Sequence, residues 1–122
     1  MLIIDDERDT RELLAMLIEK ANYSVVTASD GGLALDLLQT VRPDLIFLDL
    51  QMPGVDGARF REQQRRNADL LRVPTVVLTG SNDEPQLDPA IVSTLRKPVK
   101  AADLLAIVAR FATRHIGSMG SR

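Results

Sequence analysis

The chain of 122 residues contains no cysteine, so disulfides, thiolate metal sites and cysteine nucleophiles are excluded. Aromatic residues make up only 3% of the sequence, which leaves little material for surfaces that stack on bases or sugars. No apolar run approaches the roughly 18 residues that a membrane-spanning helix needs, and we see no signal peptide. These absences favour a cytoplasmic protein that does not contact a membrane.

The net charge is small as well, at −2, which argues against a general nucleic-acid-binding surface. Hydrophobic residues make up 45% and charged residues 26%, as is ordinary for a globular domain. A chain of this length can bury a core without covalent links, and it shows neither a linker nor a repeat. We therefore predict one domain over residues 1–116 and a flexible tail over residues 117–122.

Short apolar runs alternate with amphipathic stretches along most of the chain. The apolar runs, which we predict to be strands, cover residues 1–4, 23–28, 45–48, 75–79 and 92–95. The amphipathic stretches, which we predict to be helices, cover about residues 10–21, 33–42, 57–71 and 100–116. Strands that alternate with helices predict a parallel sheet with helices on both faces and right-handed crossovers.

Capping residues, glycines and prolines predict where individual helices begin and where a helix is disfavoured. Asp9 is predicted to be the N-cap of the first helix, with Glu12 as its capping-box partner. The sequence Asp30-Gly31-Gly32 is predicted to form a turn. Between the fourth and fifth strands, Pro85 and Pro89 disfavour a helix interior, so a helix there should be short or irregular.

Polar side chains follow the predicted strands at the edge where parallel strands end and where ligands bind in open sheets. They are Asp5, Asp6, Asp49, Thr79 and Lys97. Carboxylates that converge there repel one another and need a cation or a proton. A ligand set of oxygens alone selects a hard ion, Mg²⁺ or Mn²⁺. The simpler alternatives are that the acidic pair caps a helix and that Lys97 forms a surface ion pair.

Together these residue types are typical of a phosphoryl site. A cation and Lys97 would neutralise phosphoryl oxygens, and Thr79 would donate a hydrogen bond. A carboxylate would attack in line, and Asp49, at the end of an apolar strand, is the candidate nucleophile.

The chain resembles the receiver domain of bacterial two-component response regulators over nearly its whole length. The motifs that carry the resemblance are "IIDDERD", "LIFLDLQMPGVDG", "VVLTG" and "LRKPV", in this order on the predicted strand ends. The resemblance implies a flavodoxin-like (βα)5 fold with a five-stranded parallel sheet in the order 2-1-3-4-5. It also implies transfer of a phosphoryl group from a sensor histidine kinase or a histidine phosphotransfer protein.

The resemblance assigns a role to each site residue. Asp49 matches the phosphoacceptor, and Asp6 and Asp49 match direct metal ligands. Asp5 matches the acid that holds a metal-bound water, and the backbone carbonyl of Gln51 matches the third protein ligand. Thr79 and Lys97 match the residues that hold phosphoryl oxygens. The Lys97–Pro98 bond is a candidate for the cis form that is usual in the family.

Two features depart from the family pattern: the residue at the switch position, and the interval of 18 residues from Thr79 to Lys97, which is several residues short of the usual family spacing. Thr94 occupies the switch position in strand five where an aromatic residue is usual, so the ordinary coupling between that position and Thr79 cannot operate. We expect phosphorylation chemistry to be intact and the output through the fourth-helix region to be unconventional. The alternative is a trimmed helix that dimerises as usual.

The last helix is apolar on nearly every side, which predicts a homodimer or a partner contact through that helix. The alternative is that its many alanines simply tolerate exposure. The arginines of the third helix and its exit are interpreted as a solvated face, with docking to an acidic partner as the alternative. They are Arg59, Arg61, Arg65, Arg66 and Arg72.

Two other classes of function compete with the phosphoacceptor hypothesis. A phosphatase of the haloacid-dehalogenase type normally needs a second acid, two residues after its nucleophile, as the general acid. Gln51 occupies that position here and cannot donate a proton in the same way. A pseudo-receiver that only docks proteins usually lacks part of the site, and no part is missing here. We expect no catalysis beyond the domain's own phosphorylation and dephosphorylation. Whether the chain is a single-domain regulator or part of a longer protein, such as a hybrid histidine kinase, stays open.

Overall fold

A five-stranded sheet forms the centre of the computed structural model, which describes residues 1–52, 56–80 and 90–120. In chain order the strands are β1 (Leu2–Ile4), β2 (Val26–Ala28), β3 (Ile46–Asp49), β4 (Thr75–Thr79) and β5 (Ile91–Arg96). All neighbouring strands pair in parallel, in the order β2-β1-β3-β4-β5. The predicted architecture and sheet order are therefore confirmed.

Helices connect successive strands from β1 to β4, and one follows β5. Those in the described part of the chain are α1 (Arg8–Lys20), α2 (Gly31–Leu37), α3 (Asp56–Arg66), α4 (Ala68–Leu71) and α5 (Ala101–Gly120). Because α5 extends past Ile116, where the sequence predicts its end, the division between a domain and a tail stays a prediction. None of the helices in the described ranges combines the length and apolar composition that crossing a bilayer requires.

Adjacent residues of the central strands point to opposite faces of the sheet, as the period of two in a strand requires. Ile3 and Phe47 pack with residues of α1 and α5, whereas Ile4 and Leu48 pack with residues of α2 and α3. All four side chains are fully buried, and each burial stabilises the fold by about 1.5–3 kcal/mol. The continuous apolar runs therefore reflect a sheet that is covered on both faces.

The prediction that Asp9 caps α1 is wrong. The N-cap is Glu7, whose backbone carbonyl accepts the first helical hydrogen bond from the N–H of Arg11. Asp5 Oδ1 accepts the N–H of Glu7 at 2.9 Å, so the helix begins directly behind the acidic end of β1. Asp9 lies within the first turn, where its charge still suits the helix dipole.

The predicted turn at Asp30-Gly31-Gly32 is the start of α2. Asp30 is the N-cap, and its Oδ1 accepts the N–H of Leu33 at 2.8 Å. A Cβ on Gly32 would lie 3.3 Å from that oxygen, so the missing side chain leaves room for the cap. The second strand is also shorter than the predicted residues 23–28.

The single helix predicted over residues 57–71 is interrupted. Asn67 is extended, with φ −116° and ψ 111°, and its side chain accepts the N–H groups of Asp69 and Leu70. This local hydrogen bonding competes with continuation of α3 and starts α4 instead.

Arg61 corrects the prediction of a solvated arginine face. Its side chain is buried and donates to Gln64 Oε1. Gln64 Nε2 in turn donates to Thr75 Oγ1 at 2.8 Å, at the start of β4. A buried polar network therefore links α3 to the sheet, while Arg59, Arg65, Arg66 and Arg72 are exposed.

The predicted short or irregular helix between β4 and β5 falls on residues 81–89, which lie outside the described residues, as do residues 53–55.

We expect Asp30→Ala to lower the free energy of unfolding by about 1 kcal/mol, because it removes the cap of α2. Asp9→Ala is the matched comparison, and it should change stability by less than about 0.5 kcal/mol. The reason is that the better helix propensity of alanine offsets the lost charge–dipole attraction. Urea unfolding followed by circular dichroism measures both. Equal losses in the two variants would contradict the assignment of the caps.

Candidate functional site

The carboxyl edge of the sheet brings the predicted site residues together. Asp5 directly follows β1, Asp49 ends β3, Thr79 ends β4 and Lys97 directly follows β5. The strands are parallel and in register, so all four lie at the same edge. Asp5, Asp49 and Thr79 are buried, whereas Asp6 is exposed. The structure thus places these side chains at the carboxyl edge, where the sequence predicts them.

The ammonium group of Lys97 lies at the centre of the cluster. Its Nζ is 2.9 Å from Asp5 Oδ2, 2.9 Å from Glu7 Oε1 and 3.1 Å from Asp49 Oδ2. The backbone N–H of Lys97 donates to the carbonyl oxygen of Thr79 at 2.7 Å, which ties the end of β5 to β4. The Lys97–Pro98 peptide bond is cis. Lys97 is therefore held by both its backbone and its side chain.

Glu7 is the member of the cluster that sequence reasoning missed. It follows the acidic pair directly, so a run of three acids was the available signal. Its side chain is largely exposed, yet it reaches Lys97 from the N-terminus of α1. Hydrogen bonding from Lys97 lowers the pKa of Glu7. The sequence alone did not indicate that the first residue before α1 would share the lysine.

Three carboxylates form a group that fits a hard divalent cation. One oxygen from each of Asp5, Asp6 and Asp49 can be chosen so that all lie within 4.8 Å of one another. Asp5 Oδ2 is buried and accepts no hydrogen bond of good geometry, although it faces Lys97. An oxygen-only donor set with such an oxygen suits Mg²⁺ or Mn²⁺.

The electrostatics of the cluster follow from burial. Desolvation raises the pKa of Asp5 above its ordinary value, against the opposing effects of the nearby Lys97 ammonium group and of the hydrogen bond from the N–H of Glu7. Burial alone would lower the pKa of Lys97, but its hydrogen bonds to Glu7 and Asp49 and its ion pair with Asp5 outweigh that effect and raise it. Lys97 therefore stays charged throughout the physiological range, while Asp5 holds its charge less readily than an ordinary aspartate.

Gln51 connects the end of β3 to the end of β4. Its backbone N–H donates to Asp49 Oδ1 at 2.8 Å, and its side-chain Oε1 accepts the N–H of Gly80 at 2.8 Å. The assignment of its backbone carbonyl as a metal ligand stays a prediction.

The predicted switch residues lie in different places. Thr79 is at the site edge and is buried, whereas Thr94 is exposed in β5, where its Cα pairs with that of Val77. On α5, Leu104 and Val108 are buried, and the exposed apolar residues up to Phe111 are alanines. These are Ala101, Ala102, Ala106 and Ala109. The partner contact predicted for this helix stays a prediction.

The sheet order and the acidic cluster define the class of the protein. It is a flavodoxin-like α/β domain whose carboxyl edge carries an acidic cluster and a lysine that contacts three carboxylates.

The chain belongs to the response regulator receiver domain family, whose family model matches residues 1–109. It is 38% identical over 110 residues to the response regulator MprA of Mycolicibacterium vanbaalenii. This match covers 87% of this chain and 47% of that protein. It is 39% identical over 84 residues to the alkaline phosphatase synthesis transcriptional regulatory protein PhoP of Bacillus subtilis. This match covers 69% of this chain and 34% of that protein. The chain thus spans half or less of the length of these relatives.

Solved structures show the same fold. A CheY-like response regulator receiver domain protein from Methanospirillum hungatei matches with a TM-score of 0.79 at 27% identity, over 90% of each chain. The signal receiver domain of a signal transduction histidine kinase from Syntrophus aciditrophicus matches with a TM-score of 0.79 at 29% identity, over 92% of this chain and 88% of that one.

Lys97→Met is expected to destabilise the protein at neutral pH in the absence of divalent cations. Removing one partner of a fully buried ion pair costs about 3–5 kcal/mol, and we expect about 2 kcal/mol here because the lysine side chain is 16% exposed. Protonation of Asp5 removes one of the charges that Lys97 neutralises. The difference between the two proteins should therefore shrink as the pH falls through the raised pKa of Asp5.

Urea unfolding at neutral pH and at about pH 4 measures this difference. Lys100→Met, the same change at an exposed position three residues later, is the control. A loss of stability that is equal at both pH values would contradict the electrostatic account of the cluster.

Proposed function

We propose that this domain is a phosphoacceptor that takes a phosphoryl group onto Asp49. The observation that carries the proposal is the position of Lys97 Nζ, which contacts both Asp5 and Asp49 within a cluster of three acids. A buried carboxylate beside a charged lysine and a group of carboxylate oxygens is suited to nucleophilic attack on phosphorus.

In the proposed reaction an oxygen of Asp49 forms a bond to phosphorus while the bond from phosphorus to the donor's imidazole nitrogen breaks. The donor is a phosphohistidine of a sensor histidine kinase or a histidine phosphotransfer protein, whose imidazole leaves with the electron pair. The product is an acyl phosphate, which water later hydrolyses to inorganic phosphate. The domain's catalysis is limited to its own phosphorylation and dephosphorylation, and the acyl phosphate changes its protein interactions.

Each residue of the site has a separate role in the proposed reaction. Lys97 transfers part of its hydrogen bonding from Asp49 Oδ2 to the phosphoryl oxygens, and the Thr79 hydroxyl donates to the same group. The hydrogen bond from the N–H of Gln51 to Oδ1 holds the carboxylate of Asp49 in place. Asp6, Asp49 and the carbonyl of Gln51 would hold Mg²⁺ or Mn²⁺, with Asp5 acting through a water. When bound, the cation neutralises negative charge on the phosphoryl oxygens.

Asp49→Asn is expected to abolish phosphoryl uptake. Wild-type protein incubated with acetyl phosphate and Mg²⁺ should gain one phosphoryl group by intact mass, and a chelator should prevent the gain. Asp36→Asn, the same change at an exposed position on α2, is the control and should behave as wild type. Asparagine removes the anionic nucleophile while preserving its shape.

Uptake that persists in Asp49→Asn would contradict the choice of acceptor. A second measurement applies if the acyl phosphate decays before it can be detected by mass. Beryllofluoride with Mg²⁺ should then shift the amide NMR signals around Asp49. If the wild type neither gains mass nor responds to beryllofluoride, the phosphoacceptor function is wrong. The alternative of a pseudo-receiver that only docks proteins then replaces it.

A further inference from the structure

The side chain of Gln51 joins two loops that the proposed chemistry must use. Its Oε1 accepts the backbone N–H of Gly80 at 2.8 Å, and this bond spans 29 residues of sequence. The N–H of the same residue donates to Asp49 Oδ1 at 2.8 Å. Gln51 is therefore hydrogen-bonded to the candidate acceptor on one side and to the end of β4 on the other.

The absence of a side chain at Gly80 leaves room for this contact. A Cβ at that position would lie 3.2 Å from Gln51 Oε1, which is closer than an ordinary van der Waals contact. A residue with a Cβ would therefore require the glutamine amide to shift by a few tenths of an ångström.

The N–H of Gly80 is a suitable donor for a phosphoryl group. Asp49 pairs with Leu78 across β3 and β4, so Gly80 lies one strand away and just beyond the end of β4. It also follows Thr79 directly, and the Thr79 hydroxyl is the group proposed to hold phosphoryl oxygens. Hydrogen bonds to an ionised acceptor are roughly twice as strong as those to a neutral carbonyl. An acyl phosphate on Asp49 would therefore compete successfully with the Gln51 amide for this donor.

We propose that Gln51 is a latch: its side-chain carbonyl occupies the Gly80 N–H in the resting protein, and a phosphoryl group on Asp49 displaces it. The proposal rests on the phosphoacceptor function and adds a positioning residue that stabilises the resting state. A contact made only in the resting state disfavours the phosphorylated state by its own free energy. Loss of the contact should therefore make phosphorylation easier.

Gln51→Met removes both hydrogen-bonding groups of the side chain at nearly constant length and leaves the backbone N–H and carbonyl unchanged. Because Gln51 is exposed, the variant should fold. Gln39→Met, the same change at an exposed position after α2, is the matched control. We expect Gln51→Met to be phosphorylated by acetyl phosphate with Mg²⁺ about two to ten times faster than wild type, the factor that one net hydrogen bond represents. Gln39→Met should match wild type.

An NMR measurement tests the latch directly. The temperature coefficient of the Gly80 amide proton shift should indicate a hydrogen bond in resting wild type, indicate none in resting Gln51→Met, and indicate one again in both proteins after beryllofluoride and Mg²⁺ are added. A role of Gln51 in general stability would not produce this sequence of states.

The outcomes separate the latch from the function on which it rests. Equal phosphorylation rates in wild type and Gln51→Met, or a Gly80 amide proton that does not respond to the substitution, would overturn the latch alone. Absence of phosphoryl uptake and of a beryllofluoride response in both proteins would overturn the phosphoacceptor function and the latch with it.

Discussion

Charge balance at the carboxyl edge of the sheet is the constraint on which the site depends. Two buried carboxylates, Asp5 and Asp49, end neighbouring strands, and their mutual repulsion in a poorly solvated place must be offset. Lys97 offsets it from the far side of β4, and Glu7 holds the same ammonium group from the start of α1. Three separate segments of the chain are thus held at one point by one cation. A divalent cation at the acidic cluster would share that task.

The sheet makes this concentration of charge tolerable. β1 and β3 carry buried apolar side chains on both faces, so burial of these side chains supplies stability well away from the polar edge. Parallel strands all end on the same side, and polar residues placed after them need no further arrangement to meet. The destabilising acids therefore occur only where a rigid frame positions them. This division between a stabilising core and a charged, partly buried edge is typical of functional sites.

Much of the fold could be predicted because its signals are local and repeated. The apolar runs of β3 and β4 each read as a buried strand, and Asp49 and Thr79 stood out because they end such runs. Helix boundaries were less predictable, since several side chains compete to cap one helix. Asp9 had the capping-box spacing, yet α1 begins at Arg8 because Asp5 binds the N–H of Glu7. Asn67 interrupts a helical pattern by hydrogen bonds that its spacing did not reveal.

The sequence by itself determined the class of fold, the order of the elements and the identity of the acids, the hydroxyl residue and the lysine at the carboxyl edge. Periodicity and strand ends encode these features because they depend on neighbours in the chain. Only the tertiary structure decided which groups share a proton donor or a charge. Glu7 reaches a lysine 90 residues away, Gln51 accepts the N–H of Gly80, and Arg61 lies buried rather than solvated. These contacts join distant segments, and their existence depends on sub-ångström placement that no local pattern specifies.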